Sequence, residues 1–177
     1  EKYSARLPGR YRVIDLLPAL LLRHPGLRYL VVGGPSPEGD MGPDLRAQVE
    51  RLGLQKHVVF TGPLSPDQLS GPLSAADVFV LATANEGWAN VILEAMACGL
   101  PVVATDVGGN AEVVSSPQLG HIVPFGDAAA LQAAITQALL TSWDRDTIVA
   151  YAEANTWDRR IEQLARSFQR MVAEASP

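Results

Sequence analysis

A chain of 177 residues, 47% hydrophobic and 19% charged, can bury one sizeable core but is short for two. Its longest apolar run, 16–22, has a proline inside it and is far too short to cross a bilayer, and no signal peptide opens the sequence. The net charge of −5 is uneven: residues 1–37 carry six basic and two acidic side chains, about +4, leaving about −9 for the rest, which excludes a general nucleic-acid-binding face and permits one local anion site near the N-terminus.

Strand-like and helix-like segments alternate along the whole chain, the pattern of an α/β domain with a parallel sheet. A strand is expected over 3–7 and a helix over 13–24, ended by Pro25-Gly26. A strand over 27–32 leads into a turn-rich loop from Gly33-Gly34 to Gly39. Helix follows over 45–52 with Gly53 as its stop, then a strand over 57–60 and a short helix opening at Ser65-Pro66-Asp67. The segment 77–82 reads as a strand, 90–98 as a helix and 101–104 as a strand buried on both faces. A brief helix over 111–114, a strand over 120–123 and a long helix capped by Asp127 come next. Two helices end the chain, the second with an apolar stripe of Trp157, Ile161, Leu164, Phe168, Met171 and Val172. Six such strands predict a Rossmann-like parallel sheet with helices on both faces, in one domain over 1–177. Cys98, the single cysteine, excludes an internal disulfide and reads as a buried structural thiol at a helix end.

The most informative stretch is Glu86-Gly-Trp-Ala-Asn-Val-Ile-Leu-Glu94, running on as AMACGLPVVA. Between Val91 and Cys98 the one polar residue is Glu94, which reads as a carboxylate in a helix buried on most sides. A bare buried carboxylate costs several kcal/mol unless it is paired or hydrogen-bonded. Glu86 precedes the helix, behind Gly87, whose lack of a side chain lets a ligand approach the backbone. Two carboxylates thus bracket a helix N-terminus, where free amides and the positive dipole end suit a phosphate. A nucleotide sugar offers a diphosphate for the amides of Gly87, Trp88, Ala89 and Asn90 and hydroxyl pairs for the carboxylates. Read in isolation the pair could equally be the acid and nucleophile of a glycosidase, though nothing nearby supports hydrolysis. A salt bridge from Glu94 to an arginine and an exposed loop position for Glu86 are the structural alternatives; Trp88 fits packing better than chemistry.

The run EGWANVILEAMACGLPVVATDVGGNAEVV resembles the signature of the family 4 retaining glycosyltransferases, and the resemblance extends from about Arg6 to about Phe168. It implies the donor-binding C-terminal half of a two-domain enzyme of GT-B architecture, so the chain, which starts without methionine, is expected to be a piece of a longer protein lacking its N-terminal acceptor domain. It further implies that Glu94 grips the ribose hydroxyls and that Glu86 lies near the donor sugar and the reacting centre. Arg6 matches the arginine of the family's first loop, which clamps the diphosphate together with a lysine five or six residues on. Here the sequence departs: Tyr11 stands at one lysine position, flanked by Arg10 and Arg12, and Arg12 is taken as the replacement, with a solvated basic turn as the alternative. Gly33 and Gly34 sit in a loop that faces the cleft in the family, although their spacing is no dinucleotide fingerprint. Thr61, Gly62 and Leu64 resemble the segment against which the nucleobase lies. Gly108-Gly109-Asn110 with Glu112 would start a helix, Glu112 as a first-turn residue that offsets its dipole.

The expected activity is retaining transfer of a sugar from a UDP- or GDP-type donor to a sugar, lipid-linked or small-molecule acceptor. No cofactor is expected, nor a metal: His24, His57 and His121 lack metal-ligand spacing, and the resemblance implies none. No nucleic-acid partner is expected. The location would be cytoplasmic, free or peripheral at the membrane face. The alternatives are a nucleotide-sugar epimerase of the same architecture and a non-catalytic nucleotide-sugar-binding module, the latter favoured by the changed lysine position.

Overall fold

A computed structural model of the chain describes residues 13–35 and 39–174. The expected strand over 3–7 and the basic loop with Arg6, Arg10 and Arg12 lie outside the described residues.

Helices and strands alternate in the order α1 (Val13–Arg23), β1 (Tyr29–Val32), α2 (Gly42–Arg51), β2 (Val58–Gly62), α3 (Pro66–Ser74), β3 (Phe79–Leu81), α4 (Asn90–Ala97), β4 (Val102–Thr105), α5 (Asn110–Val113), β5 (Gly120–Val123), α6 (Ala128–Leu140), α7 (Arg145–Ala154) and α8 (Trp157–Glu174). All strand pairing among these elements is parallel. β1 pairs with β2, and β3, β4 and β5 form a second ladder with β4 in the middle. The described strands make a two-stranded and a three-stranded sheet, and the remaining strand of the six expected, over 3–7, lies outside the described residues.

β4 is buried at all four positions, as its unbroken apolar sequence requires. Its side chains alternate with the strand period of two. Val103 points into a core made with Ile14, Leu17 and Leu20 of α1 and Leu131 and Ile135 of α6. Val102 and Ala104 point the other way, into a core with Ile92 and Met96 of α4, Val113 of α5 and Ile148 of α7. Helices therefore cover both faces of this strand. Each fully buried leucine or isoleucine here contributes about 1.5–3 kcal/mol of transfer free energy.

Local sequence accounts for most element ends. Pro43 stands in the first turn of α2, where a missing N–H costs nothing, and helix begins at Gly42, three residues before the expected start. Ser65 and Gln68 cap α3, the Ser65 amide donating to Gln68 Oε1 at 3.0 Å. Asp127 caps α6 as expected, accepting the Ala130 amide at 2.8 Å. β2 runs two residues further than expected because the register to β1 slips at Thr61: Val31 pairs with Phe60 and Val32 with Gly62.

Candidate functional site

β3 ends at Leu81, and the chain reaches α4 through a loop that carries Glu86, Gly87, Trp88 and Ala89. Ligands of open parallel sheets sit at this carboxyl end of the strands. Ala89 occupies the N-cap with φ −80° and ψ 87°, and as an alanine offers no side-chain acceptor to the first helical turn. Among the described residues the amides of Gly87, Trp88 and Ala89 have no hydrogen-bond partner. The Asn90 amide, expected in the same cradle, is engaged instead, donating to the Trp88 carbonyl at 3.0 Å. The cradle is thus three amides, aimed from a helix N-terminus.

The two glutamates differ. Glu86 is half-buried, where an exposed loop position was the alternative, and Glu94 is exposed, contrary to the expected buried carboxylate. The cause is helical period. α4 buries Ile92, Ala95 and Met96 and turns Asn90, Glu94 and Ala97, spaced four and three apart, outward. Val91 and Leu93 are half-buried, so the helix is amphipathic and Glu94 owes no desolvation cost. Neither glutamate has an ion pair or hydrogen bond among the described residues, so the arginine salt bridge considered for Glu94 is not found there.

The loop rests on the next β–α connection. The Gly109 amide donates to the Gly87 carbonyl at 2.9 Å. Gly108 has φ +52°, and any Cβ there would overlap the Glu86 carbonyl; a Cβ on Gly109 would come within 2.9 Å of Trp88 Cε3 and 3.0 Å of the Gly87 carbonyl. Only glycine lets the two backbones approach this closely. The outer face of the Trp88 indole is covered by the Arg160 guanidinium of α8, 3.9 Å from a ring centroid. Trp88 packs against the core cluster of Ile92 and Val102 and also lines the cavity shared with Gly33 and Leu64. In the sequence the glycine pair signals only a helix start, and Arg160 carries no signal at all.

Beneath the loop lie three buried polar side chains, Thr83, Thr105 and Asn110. Thr105 donates to the Thr83 carbonyl at 2.7 Å and ties the end of β4 to that of β3, while Asn110 Nδ2 donates back to the Thr105 carbonyl at 3.0 Å. Thr83 Oγ1 and Asn110 Oδ1 are buried without a partner among the described residues.

On the other side of the site, Gly33 follows β1 and its amide donates to the Gly62 carbonyl at 3.0 Å. Thr61 spends its hydroxyl on backbone, donating to the Gly62 carbonyl at 2.9 Å, so it braces the bulge. A Cβ on Gly34 would press on Pro63 Cδ at 3.1 Å. One cavity is lined jointly by Gly33, Leu64, Glu86, Trp88, Ala89 and Asn90. Gly34, Thr61, Gly62, Gly87 and Glu94 do not line it. Cys98, expected buried, is a half-buried free thiol beside a small apolar cluster with Leu73 and Leu100. Glu112 is exposed in the first turn of α5, in keeping with a dipole-compensating role. Among the described residues no group of three or more His, Cys, Asp or Glu could hold a metal ion.

A family model described as "Glycosyl transferases group 1" matches residues 3–155. The D-inositol 3-phosphate glycosyltransferase of Corynebacterium urealyticum is 33% identical over 171 residues, covering 93% of this chain and 40% of that protein. The enzyme of the same name from Acidothermus cellulolyticus is 34% identical over 162 residues, covering 87% and 36%. Among solved structures, Anabaena HepE in complex with UDP aligns with a TM-score of 0.71 at 28% identity, covering 94% of this chain and 47% of that one. Sucrose-phosphate synthase from Thermosynechococcus elongatus aligns with a TM-score of 0.71 at 29% identity, covering 92% and 43%. The chain thus spans less than half the length of each of these relatives. It belongs to the group 1 glycosyltransferase family.

Proposed function

We propose that this chain is the donor-binding C-terminal domain of a two-domain, retaining GT-B glycosyltransferase that uses a nucleotide-diphosphate sugar. The observation that carries the reading is the set of three open amides, Gly87 to Ala89, at the N-terminus of α4, with Glu86 before it and Glu94 on its outer face. The amides and the helix dipole suit a diphosphate. A carboxylate beside a phosphate would repel it, so both glutamates are assigned to hydroxyls: Glu94 to the ribose diol, Glu86 to the donor sugar. Gly33 and Leu64, which line the cavity together with Glu86, are assigned to the nucleobase side on the basis of the family resemblance, and Gly34, Thr61 and Gly62 to the backbone that supports them.

During transfer, negative charge grows on the departing diphosphate. Pre-aimed amides stabilise that charge without reorganising. Arg6 and Arg12 are assigned to the same task on the basis of the family resemblance, as is the independence from metal. The UDP bound to HepE supports a uridine donor as the first to try. No helix among the described residues is long and apolar enough to cross a membrane, and a peripheral place at the cytoplasmic membrane face, next to a lipid-linked acceptor, stays part of this reading.

The test is a thermal-shift panel of UDP, GDP, ADP and their sugars, followed by calorimetry of the best binder. Stabilisation by at least one nucleoside diphosphate, and less by its nucleoside, is expected. A protein indifferent to every diphosphate in the panel contradicts the proposal.

A further inference from the structure

We propose that Arg160 is a positioning residue for the diphosphate cradle, acting through Trp88; this rests on the function proposed above. The loop 86–89 has little to hold it. Its amides at 87–89 are open, and among the described residues its backbone tether to the following β–α connection is the Gly109 bond to the Gly87 carbonyl, the Trp88 and Ala89 carbonyls being held locally by the Asn90 and Ile92 amides. What fixes the remainder is the Trp88 indole, which packs on the core cluster of Ile92 and Val102, sits where Gly109 has no side chain, and carries the Arg160 guanidinium over its ring. Backbone amides flank the Cα of Trp88 in both directions, so a backbone shift that follows loss of the ring's anchoring re-aims the cradle.

Arg160 is placed for this from 72 residues further along the chain. Its own amide donates to the Thr156 carbonyl at 3.0 Å, and Nη2 reaches Asn155 Oδ1 at 3.4 Å. Asn155 is in turn fixed by its Nδ2 bond to the Tyr151 carbonyl at 2.8 Å, at the end of α7. α7 packs directly on α4, so the brace returns to the helix whose N-terminus forms the site. Most of α8 is exposed, but Arg160 is half-buried, and its Nε is buried with no partner among the described residues. A buried unpaired N–H is costly. A lysine or leucine would pack on an indole without that cost; the guanidinium lies over the ring and reaches Asn155 at the same time.

The test uses the chain labelled with 5-fluorotryptophan, whose three tryptophan resonances are assigned by single Trp→Phe variants. UDP, GDP and ADP are titrated, and the tightest is carried into Arg160→Ala and Arg160→Lys alongside its nucleoside. In Arg160→Ala the Trp88 resonance should move while that of Trp143 stays. Diphosphate affinity should fall about 2–10-fold, the range of one cation–π contact, with nucleoside affinity unchanged. Arg160→Lys should recover part of the loss, and it alone decides the matter should Arg160→Ala fail to fold. Unchanged diphosphate affinity, or equal losses for diphosphate and nucleoside, overturns the positioning role and leaves the proposed function standing. A wild-type protein that binds none of the three diphosphates overturns both.

Discussion

The Gly109 amide donates to the Gly87 carbonyl at 2.9 Å, so the loop bearing Glu86 is shaped by the backbone of the following β–α connection. Gly108 beside it combines a positive φ of 52° with direct contact to the Glu86 carbonyl. Gly108→Ala should therefore lower unfolding free energy by at least about 1–2 kcal/mol from the left-handed backbone alone, with the displaced loop adding to it. Urea denaturation checks the stability term. Nucleoside diphosphate affinity should fall more than the lost stability explains. A variant with wild-type stability and affinity would show that the two connections are not in register as described.

Glu86→Ala tests the division of labour between the carboxylates. In the full-length enzyme, turnover should drop strongly while diphosphate affinity stays within about 1 kcal/mol, because the lost contact lies beyond the phosphates. Collapse of nucleotide binding together with activity would make Glu86 a structural residue.

His121 provides a pH signature independent of the ligand. Burial pushes its pKa below the usual 6.5, and its ring meets Trp143 edge-on with centroids 5.7 Å apart. The unfolded chain therefore binds the proton more readily than the folded one. Stability from the neutral ring is fully present above about pH 6.5 and is lost as the pH falls from there through the lowered folded pKa. Thermal melts of wild type between pH 7.5 and pH 5 should show this decline, and His121→Gln should flatten it. Parallel slopes for the two proteins would place the acid sensitivity elsewhere.

Asp127→Ala removes the acceptor for the Ala130 amide at the start of α6. A cap of this kind is worth about 1 kcal/mol, and Asp127→Asn should retain most of it. α6 packs on β4 and β5, so the loss should appear in global unfolding followed by denaturant. Fraying of α6 alone, seen by hydrogen exchange with the midpoint unchanged, would mean that the helix is not part of the cooperative core.

What the sequence makes legible is whatever depends on local chemistry. The cap at Asp127, the stop at Gly53 and the fully buried β4 follow from neighbouring residues and hold in the structure. Glu94 is exposed although its sequence neighbours are apolar, because apolar neighbours along a helix do not bury every side of it. The 3.6-residue period, followed strictly through Asn90, Glu94 and Ala97, marks the outward face. The bulge at Thr61 depends on pairing with β1, and the stack of Arg160 on Trp88 joins residues 72 apart. No periodicity or spacing announces such tertiary contacts. The Gly108-Gly109 pair was visible as a turn signal, but the chain segment pressed against it was not.

The central claim is that Glu94 reads a ribose beside a diphosphate held by the amides of Gly87 to Ala89. The most direct measurement is a calorimetric cycle of wild type and Glu94→Gln, each titrated with the tightest ribonucleoside diphosphate and its 2′-deoxy analogue. Glu94→Gln should cost about 1–3 kcal/mol with the ribonucleotide, the range of a hydrogen bond to a charged group. The deoxy analogue should lose most of that increment in wild type and little further in the variant, since both changes remove one interaction. Equal affinity of the wild-type protein for the ribo and deoxyribo forms would contradict the assignment.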